Sequence, residues 1–277
     1  MNPYLIDRPA VISFSGGRTS GFMLRKIIDA FGGTLPDDVR VIFCNTGLEH
    51  ERTLEFVYEV ARQWTPVEWV EYCTVDDAPS FRLVTFASAS RNGEPFDALI
   101  RHRKMLPNVA ARFCSSELKT RTKNRYIAAD FGWDHFECAV GIRADEMRRI
   151  SKQRGEGAES VVTPMVDAKH TLDDVLAFWR DQPFDLMLPW GVNSFGNCVG
   201  CFLKSPDKLM RIMREEPQYF AWWAEWESKV ASLGRVTGDG ALFSVNRPTY
   251  AQLLALSKSQ RAFNFEQEDT ITCACTD

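Results

Sequence analysis

Short apolar runs alternate with segments of helical period along the first two thirds of the chain. Strands are predicted at residues 10–15, 39–45, 67–73 and 136–141. Helices are predicted at residues 20–31, 50–64, 117–131 and 172–180. This alternation predicts an α/β fold with a doubly wound, mainly parallel sheet and helices on both faces. Ligands of such sheets bind at the carboxyl ends of the strands.

The pattern changes after about residue 205. Helices are predicted at 206–215, 217–232 and 249–256, and the middle one is rich in tryptophan. The chain therefore divides into a sheet domain, residues 1–205, and a helical C-terminal extension, residues 206–277. Aromatic clusters of this kind more often pack a core than stack on bases.

A loop rich in glycine and hydroxyl residues follows the first predicted strand. It contains Ser15, Gly16, Gly17, Arg18, Thr19 and Ser20. Glycines let the backbone approach an anion closely, and the helix that follows adds the positive end of its dipole. The loop is not a Walker loop, since no Lys follows the glycines. It predicts a phosphate cradle, the alternative being a plain turn between strand and helix.

Composition and charge narrow the class of protein. The chain of 277 residues is 45% hydrophobic and 25% charged, as in an ordinary globular protein. It contains no apolar run of membrane-spanning length, so no membrane partner is expected. The start of the chain lacks the features of a signal peptide, which favours a cytoplasmic location. Eight cysteines are then expected to be thiols, metal ligands or redox groups rather than structural disulfides.

Charge is distributed unevenly along the chain. The formal net charge is −4, which argues against indiscriminate binding of polyanions. Residues 101–154 nevertheless carry 13 Lys and Arg against six Asp and Glu. This basic block fits either a phosphate-bearing or nucleic-acid partner or the solvated faces of helices.

Further polar residues follow later strands. Asn45 and Thr46 end the second strand, where they either contact an adenosine or cap the next helix. Lys119 follows Cys114 in a predicted helix. Arg143, Arg148 and Arg149 follow the Gly-containing end of the fourth strand.

Cys198 and Cys201 form a C-x-x-C pair in a glycine-containing loop. This spacing is used by iron–sulfur clusters, zinc sites and redox pairs.

In this order, these segments resemble the phosphoadenosine phosphosulfate (PAPS) reductase family of the adenine nucleotide alpha hydrolase (PP-loop) superfamily. The resemblance covers about residues 8–205. It implies an adenine nucleotide alpha hydrolase-like fold and an adenine nucleotide, either ATP with Mg²⁺ or a sulfonucleotide, on the loop. It further implies that Lys119, Arg143 and either Arg148 or Arg149 contact phosphate or sulfate.

The cysteines depart from the family pattern in one respect. Cluster-bearing members add a pair of cysteines about 80 residues before the C-x-x-C, where this chain has Phe113 and Cys114. Cys114, Cys198 and Cys201 are then three ligands for a four-iron four-sulfur (4Fe-4S) cluster with one open iron. There are two alternatives. Cys273 or Cys275 supplies a fourth ligand, or the site holds zinc or no metal. Cys44, Cys73 and Cys138 lie on predicted strands and are expected to be buried and inert.

Three functions follow from this resemblance. The first is ATP-dependent sulfur transfer from a thiol or sulfide donor to an acceptor such as a nucleic acid. The second is reduction of a sulfonucleotide with Cys273 or Cys275 as the nucleophile, although the Glu-Cys-Gly context of that family is missing. The third is a nucleotide-binding regulatory protein with structural zinc. An oligomer is compatible with each of them.

Overall fold

A computed structural model describes residues 2–150, 158–189, 195–196, 198–234 and 238–259 of the chain. Within them, six strands form one sheet in the order β4-β3-β2-β1-β5-β6. The strands are β1 Ala10–Ser13, β2 Val39–Asn45, β3 Glu68–Val75, β4 Ala78–Val84, β5 Phe136–Val140 and β6 Glu159–Val162. All neighbours pair in parallel except β3 and β4, which form an antiparallel hairpin at one edge. The predicted α/β fold with a mainly parallel sheet is thus confirmed.

Helices connect the parallel strands. They are α1 Arg18–Ala30, α2 Glu51–Gln63, α3 Glu94–Arg103, α4 Phe113–Ser115, α5 Thr122–Asp130 and α6 Met147–Ile150. Two further helices, α7 Pro164–Asp167 and α8 Leu172–Arg180, follow β6. A π-helical stretch, Ser116–Arg121, joins α4 to α5. Such stretches within helices are frequent at functional sites.

The two faces of the sheet pack against separate cores. Along β1, Ala10 and Ile12 face a large core, whereas Val11 faces a smaller one that includes Ile127 of α5. Burial on both faces explains why these strands read as continuous apolar runs.

The C-terminal helices join the large core. They are α9 Pro206–Glu215, α10 Ala221–Lys229 and α11 Tyr250–Ser259, with 3₁₀ turns at Pro217–Phe220, Val230–Leu233 and Gly238–Ala241. Trp223 and Trp226 are buried. The indole nitrogen of Trp222 and that of Trp226 each donate to Asp97 of α3. The predicted tryptophan cluster is therefore packing that fastens these helices to the sheet domain.

No helix in the described ranges is both long and apolar enough to span a bilayer.

Candidate functional site

The glycine loop lies where the direction of the sheet changes. The chain leaves β1 for β2 and β3 on one side, and later returns to pair β5 on the other side of β1. Gly16 has φ of +76°, whereas Gly17 has an ordinary extended conformation with φ of −103°. A Cβ on Gly16 would lie 2.6 Å from Cγ2 of Thr53. The first glycine is thus required both by its backbone and by its contact with α2.

Two hydroxyl groups fix the shape of this loop. Oγ of Ser20 lies 2.9 Å from Oγ of Ser15, accepts the Ser15 amide at 3.2 Å and donates to the Gly17 carbonyl at 3.0 Å. Helix α1 begins immediately after Gly17, so amide groups of its first turn point out of the helix end beside the loop. The loop therefore has the backbone form expected of an anion site.

The side chain of Arg18 turns away from this loop. Its guanidinium binds both carboxylate oxygens of Asp185, at 2.7 and 2.6 Å, and the Leu188 carbonyl at 2.7 Å. The guanidinium of Arg18 is thus held by the segment that follows α8, while its backbone lies in the loop. The sequence pattern gave no indication of Asp185, since it lies 167 residues away.

Arg143 is brought to the loop by the end of β5. Its Nη1 donates to Oγ1 of the buried Thr19 at 3.1 Å. This close approach depends on Gly141, where a Cβ would lie 3.0 Å from Cα of Ser20. The structure thus joins two segments that the sequence places 124 residues apart.

The carboxylate of Glu146 holds Arg149 beside Arg143. Glu146 accepts the Arg143 amide at 2.9 Å and binds Nη1 of the buried Arg149 at 2.5 Å. Arg148 lies in α6 as well, but its side chain is outside the described part of the chain. Arg149 is thereby held close to Arg143 through a shared acid.

At the end of β2, Asn45 is a structural residue. Its amide nitrogen donates to Glu71 at 2.6 Å and to the Ser90 carbonyl at 2.9 Å, while its oxygen accepts the Gly47 amide. Glu71 is fully buried and also binds Arg82. The side chain of Asn45 shapes the turn after β2, and its contact with adenosine stays a prediction.

Thr46 connects the end of β2 to the C-x-x-C loop. Its hydroxyl donates to Glu49 at 2.8 Å and lies 3.3 Å from Sγ of Cys198. Cys198 also forms an isolated antiparallel bridge with Glu49. The C-x-x-C pair is therefore anchored beside the strand that neighbours β1.

The C-x-x-C loop is a tight turn whose backbone is stabilised by hydrogen bonds from Lys204. The Cys201 amide donates to the Cys198 carbonyl at 3.1 Å. Nζ of Lys204 donates to three carbonyls of the loop, those of Gly196, Cys198 and Val199, at 2.8–3.0 Å. A Cβ on Gly200 would meet the Trp223 indole, which places the C-terminal helices directly under the turn. The sequence did not predict this role for Lys204, because a lysine that follows a loop is usually exposed to solvent.

Cys114 and Lys119 lie on the helical segment that faces β2. Sγ of Cys44 donates to the Lys119 carbonyl at 3.6 Å, which places this turn next to β2.

The candidate metal ligands differ in burial. Cys114 is half-buried, as is Cys201, and Cys198 is buried. Cys273 and Cys275 lie outside the described residues. Within those residues, no group of three or more His, Cys, Asp or Glu side chains is arranged to hold a metal.

The strand cysteines differ in their burial. Cys138 is buried and Cys44 and Cys73 are half-buried, so the expected burial holds fully for one of the three. Burial raises the pKa of Cys138 to about 12 and that of Cys44 to about 11, which keeps both thiols protonated near neutral pH.

Replacing Gly16 by alanine is expected to lower the free energy of unfolding by about 2–4 kcal/mol, from the positive φ and the contact with Thr53 together. Gly32 is a matched control, since it has φ of +79° and open space around its Cα. Gly32→Ala should cost only about 1 kcal/mol. Urea unfolding of both variants measures the difference. Equal losses would contradict a steric role for Thr53, and adding Thr53→Ser should restore part of the loss in Gly16→Ala.

No family model matches the chain. It is 31% identical to the nin region protein ORF290 of Escherichia phage lambda over 222 residues, 74% of this chain and 70% of the relative. A 37.8 kDa protein from the gpa 5′ region of Escherichia phage 186 is 26% identical over 87% of this chain and 81% of its own length. Protein MJ0066 of Methanocaldococcus jannaschii is 23% identical over 80% of this chain and 42% of its own length. The extent of the first match establishes that the chain belongs to the family of the phage lambda nin region protein ORF290.

Proposed function

We propose that the protein is a PP-loop enzyme of adenine-nucleotide-dependent sulfur chemistry that uses ATP to transfer sulfur to an acceptor such as a nucleic acid. One observation carries the proposal: the Ser15–Ser20 loop lies at the switch point of the sheet with Arg143 held against it at Thr19. The parallel strands follow the order third, second, first, fourth, fifth, as in dinucleotide-binding sheets. This order supports an adenine nucleotide alpha hydrolase-like fold.

The loop and the basic residues have distinct roles in this proposal. The backbone of the loop and the start of α1 bind the phosphates of ATP, and Mg²⁺ bound with the nucleotide would neutralise part of their charge. Arg143 offers a planar fork of donors to the phosphate on which charge develops, and Lys119 offers a point charge. Arg143 already has three partners nearby, Thr19, Asp145 and Glu146, which fix its orientation before nucleotide binds.

The chemistry proceeds in two steps without net oxidation or reduction. An acceptor oxygen attacks the α-phosphorus of ATP, and the bond to the β-phosphate breaks with release of pyrophosphate. A sulfide from the donor then attacks the activated acceptor carbon, and AMP leaves with the acceptor oxygen. Both steps place negative charge on phosphate oxygens, so both benefit from fixed cations at the loop.

The three-cysteine cluster remains a prediction within this proposal. Thiolates suit iron–sulfur clusters and zinc alike, and Cys198 and Cys201 are held in one turn. Cys114 would be the third ligand. Because the described side chains do not form a metal-binding group, no step above passes through a cluster. Iron, sulfide and zinc analysis of anaerobically purified protein tests it.

Product analysis separates sulfur transfer from sulfonucleotide reduction. We expect pyrophosphate and AMP from ATP with sulfide and acceptor, and no sulfite from PAPS. The Cys273→Ser/Cys275→Ser double variant should release pyrophosphate at the wild-type rate, since no step of sulfur transfer requires these thiols. Sulfite production that disappears in the double variant would replace this proposal with the reductase. Tight nucleotide binding without any product, together with stoichiometric zinc, would instead indicate a regulatory protein.

A further inference from the structure

Three arginines from two helical segments converge on one buried carboxylate. Glu117, whose side chain is 3% exposed, binds Arg103 of α3. It also binds Arg121 and Arg125, which lie on the continuous helix formed by the π-helical stretch and α5. Arg121 and Arg125 reach it at 2.9 and 3.1 Å, and Arg103 is in direct contact with the same carboxylate. We call these four side chains the arginine cluster.

The arginine cluster carries an excess of positive charge at the surface. Burial alone would raise the pKa of Glu117, but hydrogen bonds from the three arginines outweigh it and lower that pKa, so the carboxylate is ionised. Among the four side chains of the arginine cluster, one negative charge faces three positive ones. The side chains of Arg103 and Arg121 are 39% and 44% exposed, so both lie at the surface. Nη1 of Arg125 is buried without a hydrogen-bond partner in the described part of the chain.

The neighbouring segment extends this charge. The last turn of α3 and the residue after it are exposed and basic, with Arg101, His102 and Lys104 beside Arg103. The sequence contains no Asp or Glu between Asp97 and Glu117. Cations stabilise the C-terminal end of a helix, which accounts for part of the pattern on α3. It does not account for Arg121 and Arg125, which come from other helical turns.

The arginine cluster lies beside the candidate site. Glu117 is two residues before Lys119 and three after Cys114, and the guanidinium of Arg103 lies 5.6 Å from the centre of the Phe113 ring. A ligand held by the arginines is therefore adjacent to two residues of the proposed sulfur-transfer chemistry.

We propose that the arginine cluster binds the phosphate backbone of a nucleic acid, the acceptor in the proposed function. Guanidinium groups bind phosphate through paired hydrogen bonds. Cations that are spread over two helices and open to solvent match a run of phosphates, whereas a single small anion is usually bound in a closed pocket. Because the whole chain is acidic, such a patch directs a polyanion to one face of the molecule.

The test is the salt dependence of binding to fluorescein-labelled DNA duplex and to single-stranded RNA of equal length. The Arg103→Gln/Arg121→Gln variant keeps Arg125 on Glu117, so the buried carboxylate stays paired. At 0.1 M salt, loss of two phosphate contacts should weaken duplex binding about 60-fold and reduce the salt slope by about two. The control Arg62→Gln/Arg52→Gln removes two exposed arginines of α2 and should change neither quantity.

Equal weakening in both double variants, or none in either, would overturn the arginine cluster as the binding surface. Inorganic phosphate at millimolar concentration should not displace the labelled strands; complete displacement would indicate a site for a small anion instead. The inference rests on the proposed function only for the acceptor's role, since binding is measured without ATP. Binding without pyrophosphate release defeats the proposed function alone, and ATP-dependent pyrophosphate release without nucleic-acid binding defeats this inference alone.

Discussion

Replacing Lys123 by methionine is expected to lower the free energy of unfolding by about 3–5 kcal/mol, the largest effect on stability that we predict. Nζ of Lys123 lies 3.0 Å from Oε1 of Glu159 and 2.9 Å from Sγ of Cys138, beneath the sheet on the α5 face. The two charged side chains are only 5% and 4% exposed. Burial would lower the pKa of Lys123, but the Glu159 carboxylate raises it, so the ammonium stays charged.

The cost of that substitution arises from the carboxylate that is left behind. Oε2 of Glu159 has no hydrogen-bond partner among the described residues, so Lys123 is its principal counter-charge. Lys123→Met/Glu159→Met removes both charges, and it should recover most of the lost stability because the surroundings are apolar. Arg211→Met breaks an exposed pair with Glu215 and should change stability by less than about 1 kcal/mol.

Urea unfolding followed by tryptophan fluorescence measures all three variants. If Lys123→Met costs no more than Arg211→Met, the buried pair does not support the fold. If the double variant is less stable than the single one, the charges themselves, rather than their pairing, are what this core requires.

Lys123 also shows where sequence reasoning was limited. It belongs to the basic block, in which charged residues fit a nucleic-acid surface or a solvated helix face equally well. Burial of a lysine depends on a carboxylate that lies 36 positions later in the sequence, on β6. Hydropathy patterns record the apolar face of a helix but not a charge that is paired across two elements. Of the same block, Arg103, Arg121 and Arg125 lie at the surface and Lys123 does not.

Helices and strands were predicted where the pattern of apolar and polar residues within the element itself defines its ends. β2 and α8 have the predicted bounds, because apolar periodicity and flanking polar residues define both ends. β4 was not predicted, since it is an exposed edge strand after a turn in which Asp76 and Asp77 both have positive φ. α3 and β6 were missed as well; β6 has only four residues.

The candidate site shows a similar division. The strand-loop-helix form of residues 15–20 was predicted because these residues are contiguous and glycine has a known conformational role. Glu49 and Lys204 were not, because a charged residue a few positions from a motif looks the same in the sequence whether it is solvated or bonded to that motif: Glu49 accepts from Thr46 and pairs with Cys198, and Lys204 holds the C-x-x-C turn. Motifs thus predicted candidate segments, whereas the groups that orient those segments became evident only from the fold.

Replacing Arg143 by alanine is expected to reduce ATP-dependent pyrophosphate release about 100- to 1,000-fold, the largest effect on activity that we predict. Its guanidinium is held at the loop by Thr19 and lies 3.1 Å from Oδ1 of Asp145. It is therefore positioned before the nucleotide binds, and in the proposed function it stabilises the charge that develops on the departing pyrophosphate. Because the charge is needed in the transition state more than in the ground state, the turnover rate should fall further than the affinity for ATP.

Arg143→Lys tests whether charge or geometry is required. Lysine keeps the charge but lacks the planar fork, so about a tenth or less of the lost activity should return if the fork matters. Arg211→Ala removes an exposed arginine of α9 and should leave the rate unchanged. Unfolding curves of each variant exclude a loss of fold as the cause. Pyrophosphate release at the wild-type rate in Arg143→Ala would remove Arg143 from the mechanism, whereas lost ATP binding with unchanged turnover at saturation would assign it to substrate binding alone.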